Sequence, residues 1–238
     1  MNDLQTRLLY AIVMLLAMIA AIMLVQSRQQ RLALNDNQRV AIGLSAFMGG
    51  MLGAKLPFLL ERDWSGIVSP TLWLSDGKTI LGGIFGGYLA VEVAKRMCGV
   101  QVRTGDSFAL PIAVSVAIGR VGCCVAGCCF GCVTELPWGM RFEVANDQEG
   151  ICRHPTQLYE CFFHVLCASC IVVAEKHKWI EGSRLKVYLL CYLTYRFVTE
   201  WLRPEPITSI GLTTYQVACV LLGACLIGLW LSERRPSV

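Results

Sequence analysis

Charged side chains inside long apolar stretches are the residues of this sequence best suited to chemistry. Arg196, Glu200 and Arg203 lie at positions i, i+4 and i+7, so they would share one face of a helix. Glu160 and His164, four residues apart, would share a face of another helix. Ionisable groups at membrane depth are rare and usually functional. For Arg196 and Glu200, mutual neutralisation and a role in a site both agree with the spacing.

Two further cations extend this set. Arg120 lies in the sequence Gly-Arg-Val-Gly at the end of an apolar stretch, with no carboxylate one helical turn away. Lys55 lies inside an earlier apolar stretch. Guanidinium groups bind phosphate through paired hydrogen bonds. Convergence of these two cations with Arg196 and Arg203 would form an anion site, although Arg120 could instead reach the membrane surface.

Glycines cluster where helices would pack closely. Gly82 and Gly83 begin a run of glycines in small-xxx-small spacing, which favours close contact between membrane helices. The same pair could let a ligand approach the backbone. Packing and ligand approach both remain open for Gly82 and Gly83.

The sequence has 13 cysteines, and many of them concentrate between positions 123 and 152. Three interpretations of this segment compete. Structural disulfides are the first. The second is a metal site built from Cys128, Cys129 and Cys132, completed by Cys152 or His154. The third is a redox pair at the C-x-x-C spacing of Cys129 and Cys132. Disulfides are favoured, because exposed thiolates outside the cytoplasm would not stay reduced, and neither a metal nor a cofactor is expected.

The elements that carry these residues are apolar stretches long enough to cross a membrane. The 238-residue chain is 55% hydrophobic and 16% charged, whereas a soluble domain averages about 25% charged. About 20 apolar residues span the hydrocarbon core as a helix, which predicts an all-α polytopic bundle of about seven transmembrane helices. We expect a single transmembrane domain over 1–238 and an outer-side loop at 125–157. The predicted spans are Leu8–Val25, Val40–Leu60, Ile80–Met97, Phe108–Cys124, Leu158–Ala174, Val187–Leu202 and Leu212–Leu231.

The distribution of Lys and Arg predicts the orientation of these spans. The first stretch lacks a small-x-small cleavage site, so we expect it to be a retained helix rather than a signal peptide. Lys and Arg are about twice as frequent in alternate linkers and at the C-terminus as on the opposite side. The C-terminus is therefore expected in the cytoplasm and the N-terminus outside. The net charge of +4 reflects this topology, and no nucleic-acid partner is expected.

Three separated segments carry a resemblance to a known family. Residues 119–131 are similar to a signature G-R-x-G-N-x-x-N-G-E-x-x-G, and residues 153–160, RHPTQLYE, to R-H-P-S-Q-L-Y-E. Residues 195–204 are similar to F-R-x-x-x-E-x-x-R-x-P, and Gly82-Gly83 is a weaker match to H-G-G-L. Together these segments resemble prolipoprotein diacylglyceryl transferase, and Gln216 also falls where that family has Gln.

The resemblance implies a transferase of the bacterial cytoplasmic (inner) membrane. That family moves the diacylglyceryl group of phosphatidylglycerol to the lipobox cysteine of a prolipoprotein, forming a thioether and releasing glycerol phosphate. The implied partners are phosphatidylglycerol, prolipoproteins and the lipid bilayer. The catalytic candidates are Arg120, His154 and Arg196. The candidates for binding the phosphatidylglycerol headgroup are Arg120, Arg203, Glu200, Tyr159, Glu160, Gln157, Lys55, Gly82 and Gly83.

The chain departs from the family's pattern at several of these positions. Leu81 replaces the histidine of H-G-G-L, which removes an expected base. Cys123, Ala126 and Cys128 replace the two asparagines and the glutamate of the signature. Lys55 stands where an arginine is expected, and so it keeps the charge but lacks the planar guanidinium. The alternative is therefore a divergent relative that binds anionic phospholipid, or carries thiol or metal chemistry, without this transfer.

Overall fold

The computed structural model describes residues 3–61, 79–142 and 151–234. Within these ranges the chain forms helices joined by short loops and no extended strand, so the all-α class is confirmed. Each predicted span overlaps a helix, although the span Val187–Leu202 extends past the end of its helix at Thr199. The elements are α1 (Asp3–Gln29), α2 (Asp36–Glu61), α3 (Ile80–Met97), α4 (Asp106–Val125), α5 (Thr156–Lys176), α6 (Arg184–Thr199), a 3-10 turn (Glu200–Leu202) and α7 (Thr214–Arg234).

Four of the described helices are long and apolar enough to cross a membrane. They are Leu4–Gln29, Asp106–Val125, Thr156–Lys176 and Thr214–Glu233. A helical membrane protein is therefore the class that the structure supports. The number of about seven spans and the outward N-terminus remain predictions.

The chain forms two compact units, residues 26–103 and residues 1–25 with 104–238. In the first unit, α2 and α3 pack through glycines. A Cβ added to Gly53 would lie 2.8 Å from the Cα of Gly86, and one added to Gly83 would lie 3.3 Å from the carbonyl oxygen of Gly50. Close helix packing therefore accounts for the glycine pattern, and ligand approach at Gly82 and Gly83 remains a prediction.

We expect Gly53→Ala to destabilise this helix pair, because the added methyl group would meet backbone atoms that cannot rotate away. Overpacking of this kind costs about 1–3 kcal/mol. Gly43→Ala is the matched control, since nothing lies within 4 Å of a Cβ at that position. The measurement is the thermal unfolding midpoint of each variant in detergent. Equal midpoints for the two variants would contradict the packing interpretation.

In the second unit, α6 does not continue as far as the sequence spacing suggests. Helix α6 ends at Thr199, the 3-10 turn follows, and Arg203 is extended, with φ −112° and ψ 145°. Arg203 precedes Pro204, whose ring disfavours helical geometry in the residue before it. The expectation that Arg203 shares the helical face of Arg196 and Glu200 is therefore wrong.

Candidate functional site

Three helices of the second unit bring their charged residues to one end of the bundle. The carboxylate of Asp106, at the start of α4, accepts hydrogen bonds from the backbone N–H groups of Gly182 (2.6 Å) and Arg184 (2.9 Å), so α4 and α6 begin side by side. At 1.5 Å per residue, Arg120 and Arg196 both lie about 20 Å further along their helices. Helix α5 begins at this same far end and runs in the opposite direction.

Glu160 connects all three helices through its carboxylate. Its Oε2 lies 2.7 Å from Nη2 of Arg120 and 3.0 Å from Nη2 of Arg203. Its Oε1 accepts a hydrogen bond of 2.7 Å from the hydroxyl of Tyr192. The side chain is 1% exposed. Because a buried carboxylate needs compensation by charge and hydrogen bonds, Glu160 requires these partners and holds them in place.

A second buried ion pair lies beside the first. Nη2 of Arg196 lies 2.8 Å from Oε2 of Glu200, whose Oε1 accepts a 3.1 Å hydrogen bond from Thr213. The guanidinium of Arg196 also stands over the ring of Tyr215, 4.8 Å from its centroid. The pairing of Arg196 with Glu200 that the spacing suggested is therefore present. The pairing does not exclude a role for Arg196 in anion binding, because it does not use all the N–H groups of the guanidinium.

Each of the three arginines keeps one buried nitrogen without a hydrogen-bond partner among the described residues. These atoms are Nε of Arg120, Nη1 of Arg196 and Nε of Arg203. Burial and the neighbouring Arg196 lower the pKa of Arg203. Three guanidinium groups face two carboxylates, so the cluster carries an excess of positive charge. Buried N–H groups without partners require an explanation, and an anion bound among them supplies one.

His164 and two tyrosines extend the cluster into the bundle. Nε2 of His164 lies 3.9 Å from Oε1 of Glu160, and Nδ1 of His164 lies 2.9 Å from the hydroxyl of Tyr188. Tyr188 and Tyr192 were missed from the sequence. Their spacing of four residues on α6 matches the spacing of Glu160 and His164 on α5, and this match is the signal that could have found them.

His154 lies in the loop before α5 and contacts Tyr159. Its Nδ1 is 3.3 Å from the hydroxyl of Tyr159, which also accepts a 2.8 Å hydrogen bond from the indole N–H of Trp138. The backbone carbonyl of His154 accepts a hydrogen bond of 2.8 Å from the N–H of Gly131. His154 and Tyr159 therefore form a pair next to the loop that follows α4.

Gln157 and Thr156 in the first turn of α5 hold that loop. The side-chain amide of Gln157 donates a 2.5 Å hydrogen bond to the carbonyl of Cys128, and the hydroxyl of Thr156 donates one of 2.7 Å to the carbonyl of Cys129. Gln157 thus acts on the backbone of the loop, and its own Oε1 has no partner among the described residues. The loop position is set by α5.

Gln216, which matches a family glutamine, has a visible structural role. Its Oε1 accepts a 3.0 Å hydrogen bond from the N–H of Thr213, while the hydroxyl of Thr213 accepts one of 3.2 Å from the N–H of Gln216. This reciprocal pair is a capping box at the start of α7. It fixes Thr213, the partner of Glu200, at the edge of the cluster.

The end of α4 brings two cysteines together. The N–H of Cys128 bonds to the carbonyl of Cys123 at 3.1 Å, and the N–H of Gly127 bonds to the carbonyl of Cys124 at 3.1 Å. Gly127 has φ 64°. This is a Schellman motif, in which the third residue from the helix end contacts the residue after the left-handed glycine. In this chain those two residues are Cys123 and Cys128.

Cys129 completes a group of three thiols. It adopts φ 62°, unusual for a residue other than glycine, and the sulfur atoms of Cys123, Cys128 and Cys129 lie within 4.8 Å of one another. Hydrogen bonds from the other two thiols, with the charges of Arg120 and Arg203, lower the pKa of Cys129. The two thiol hydrogen bonds of Cys128 raise its pKa. We name Cys123, Cys128 and Cys129 the thiol cluster.

The remaining cysteines of this segment lie apart from the thiol cluster. All 13 cysteines are free in the structure, so no bond supports the favoured disulfide interpretation. Cys132 and Cys152 instead contribute backbone hydrogen bonds, from the N–H of Cys132 to Leu202 and from Thr134 to the carbonyl of Cys152. Of the metal candidates, Cys128 and Cys129 are joined by Cys123, a cysteine of the same segment that the sequence did not single out as a metal ligand.

Lys55, Gly82 and Gly83 belong to the other compact unit. Lys55 is buried on α2, and Gly82 donates its N–H to the hydroxyl of Thr79, which caps α3. Leu81 is also buried, at 5% exposure. Participation of these residues in headgroup binding stays a prediction.

Comparisons with known proteins agree on one family. Residues 4–232 match the family model described as prolipoprotein diacylglyceryl transferase. A phosphatidylglycerol–prolipoprotein diacylglyceryl transferase of Clostridium tetani is 28% identical over 207 residues, covering 85% of this chain and 83% of the relative. A protein of the same name from Nitratidesulfovibrio vulgaris (strain DP4) is 32% identical over 203 residues, covering 80% and 74%. One from Wolbachia pipientis subsp. Culex pipiens is 29% identical over 198 residues, covering 74% and 72%.

Proposed function

The chain belongs to the prolipoprotein diacylglyceryl transferase family, and we propose that it moves the diacylglyceryl group of phosphatidylglycerol to a lipobox cysteine of a prolipoprotein. In this reaction a sulfur–carbon bond forms at the glycerol carbon and the carbon–oxygen bond to the phosphate breaks. The electron pair leaves with the phosphate oxygen, the thiol proton is released, and glycerol phosphate departs. The observation that carries the proposal is the set of three arginines that each keep a buried N–H group with no partner in the part of the chain that the structure describes.

The arginines suit the chemistry of the leaving group. The phosphate gains negative charge as the carbon–oxygen bond breaks, so donors fixed in place before the reaction stabilise the transition state more than the bound lipid. Glu160 holds Arg120 and Arg203 at 2.7 Å and 3.0 Å. We assign Arg120 and Arg203 to the phosphate, with Arg196 completing the anion site.

The residues around the arginines orient the site. Glu160 and Glu200 hold the guanidinium groups, and Gln157 fixes the loop after α4. The pair of His154 and Tyr159 lies beside this loop, and we assign it to contact with the polar part of a substrate. Lys55, Gly82 and Gly83 are proposed headgroup contacts on the strength of the resemblance alone.

The outer faces of the helices fit contact with lipid. Phe162 on α5 and Trp201 in the 3-10 turn are 72% and 63% exposed. Exposed apolar surface marks membrane or partner contact, and Trp is enriched at membrane interfaces. We propose a multi-pass protein of the bacterial cytoplasmic membrane with about seven spans, an outer N-terminus and a cytoplasmic C-terminus. In that orientation the arginines lie toward the outer leaflet.

A second function is favoured by one observation, the buried Leu81 in place of the family histidine. A chain without that base could bind anionic phospholipid and lack transfer. Leu81→His separates the two functions. Transfer that appears only in the Leu81→His variant would favour the binding function, whereas transfer by the unmodified chain supports the main proposal.

The main proposal is tested in cells depleted of their own transferase. Expression of this chain is expected to restore lipoproteins whose lipobox cysteine carries a diacylglyceryl thioether, measured by mass spectrometry of a reporter lipoprotein. Cells with the empty vector serve as the control. Unmodified reporter in cells whose membranes contain the protein would contradict the proposal.

A further inference from the structure

The thiol cluster is not used by the phosphate site, and its geometry is close to that of a metal centre. The three sulfur atoms lie within 4.8 Å of one another. A tetrahedral zinc ion with Zn–S bonds of about 2.3 Å holds its sulfur ligands about 3.8 Å apart. The three thiols therefore need to move by only about 1 Å to bind one zinc ion.

The backbone holds the three thiols together without a metal. The Schellman motif places Cys123 against Cys128. Cys129 follows directly in the left-handed conformation, and its thiol joins the other two. Thr156 and Gln157 fix this conformation by donating hydrogen bonds to the carbonyls of Cys129 and Cys128. Strained residues held by their surroundings cluster at functional sites, so the strain at Cys129 points to a function for its thiol.

The number of ligands indicates an open site. Structural zinc sites have four protein ligands, whereas catalytic zinc sites have three and leave the fourth position to water or substrate. Within the described parts of the chain, the thiol cluster is a group of three, and Cys129 is exposed.

We propose that Cys123, Cys128 and Cys129 bind a zinc ion whose fourth position takes the acceptor thiol of the transfer reaction. This inference rests on the proposed function. A thiol that coordinates zinc is deprotonated outright, so the acceptor proton passes to water and the bound sulfur keeps the electron pair that attacks the glycerol carbon. Two of these cysteines stand at positions where the family signature has other residues, in a chain that also lacks the family histidine.

The site is tested first by metal content, which does not depend on activity. We expect about one zinc ion per chain, measured by elemental mass spectrometry on protein purified in detergent and exposed to zinc. The triple variant Cys123→Ser, Cys128→Ser, Cys129→Ser is expected to bind none. The matched control, Cys161→Ser, Cys170→Ser, Cys225→Ser, removes as many thiols from helix positions outside the thiol cluster and is expected to keep zinc.

Cobalt substitution identifies the ligands even if the triple variant folds poorly. The single variant Cys129→Ser changes an exposed loop residue, and it is expected to weaken the thiolate-to-cobalt absorption that the unmodified protein shows. A zinc-free unmodified protein, equal zinc in the triple variant and its control, or a disulfide between two of the three cysteines in protein isolated from cells would each overturn the proposal.

The role in transfer is tested by removing and restoring the metal. Chelation is expected to lower transfer to a lipobox peptide at least tenfold, and added zinc is expected to restore it. Full transfer by zinc-free protein would overturn the proposal and leave the proposed function standing. Zinc-loaded protein that transfers nothing would overturn the proposed function and the thiol-activating role of the metal, while its metal content would still establish the site.

Discussion

Arg120→Lys is expected to lower kcat for diacylglyceryl transfer about 10²- to 10³-fold, the usual cost of losing a fixed donor at a developing negative charge. Lysine keeps the charge but presents a single ammonium instead of a planar fork. It cannot hold Glu160, which lies 2.7 Å from Nη2, and at the same time offer the position of the buried Nε to a phosphate. The measurement is glycerol phosphate release at saturating phosphatidylglycerol.

The matched control is Arg184→Lys. Arg184 lies 3.6 Å from the carboxylate of Asp106 at the opposite end of α4 and α6. We expect this variant to keep kcat near that of the unmodified protein. If Arg120→Lys also kept full kcat, Arg120 would have no part in stabilising the leaving phosphate.

Glu160→Gln is expected to reduce the free energy of unfolding by about 3–5 kcal/mol, because removing one partner of a buried ion pair leaves uncompensated charge. The amide keeps the shape of the side chain and a hydrogen bond to Tyr192. It removes the negative charge shared by Arg120 and Arg203, whose side chains are both 8% exposed. The measurement is the free energy of unfolding in detergent.

Glu92→Gln is the control for this loss of charge. Glu92 pairs with Lys95 at 3.0 Å on α3, with its side chain 37% exposed. Such surface pairs contribute about 0–1 kcal/mol, so we expect this variant to have a free energy of unfolding close to that of the unmodified protein. Equal destabilisation by Glu92→Gln and Glu160→Gln would show that the buried carboxylate does not organise the arginines.

The helices and much of the charge cluster follow from the sequence, because apolar length and residue spacing are local properties. The stretch Ile80–Met97 is a helix with the predicted bounds, and Arg196 pairs with Glu200 as the i, i+4 spacing indicates. The predicted position of Arg203 on the helical face was wrong, because the prediction extended the helical period across the 3-10 turn. Pro204 was the local signal that the period ends there.

The contacts between elements could not be read from spacing. Glu160 binds arginines from α4 and from the segment after α6, and only the packing of three helices decides which cations meet it. The thiol cluster depends partly on local sequence and partly on contacts between elements. Gly127 predicts a Schellman motif and hence contact between Cys123 and Cys128, but the turn of Cys129 toward them depends on hydrogen bonds from α5.

Reconstitution in vesicles tests whether the arginine cluster serves transfer from phosphatidylglycerol to a thiol. Purified protein is placed in vesicles that contain phosphatidylglycerol, or only phosphatidylethanolamine, together with a lipobox peptide. We expect peptide in the phosphatidylglycerol vesicles to gain the mass of one diacylglyceryl group on its cysteine and an equal amount of glycerol phosphate to be released. Folded, zinc-loaded protein that leaves the peptide unmodified in those vesicles would show that the arginine cluster does not serve this transfer.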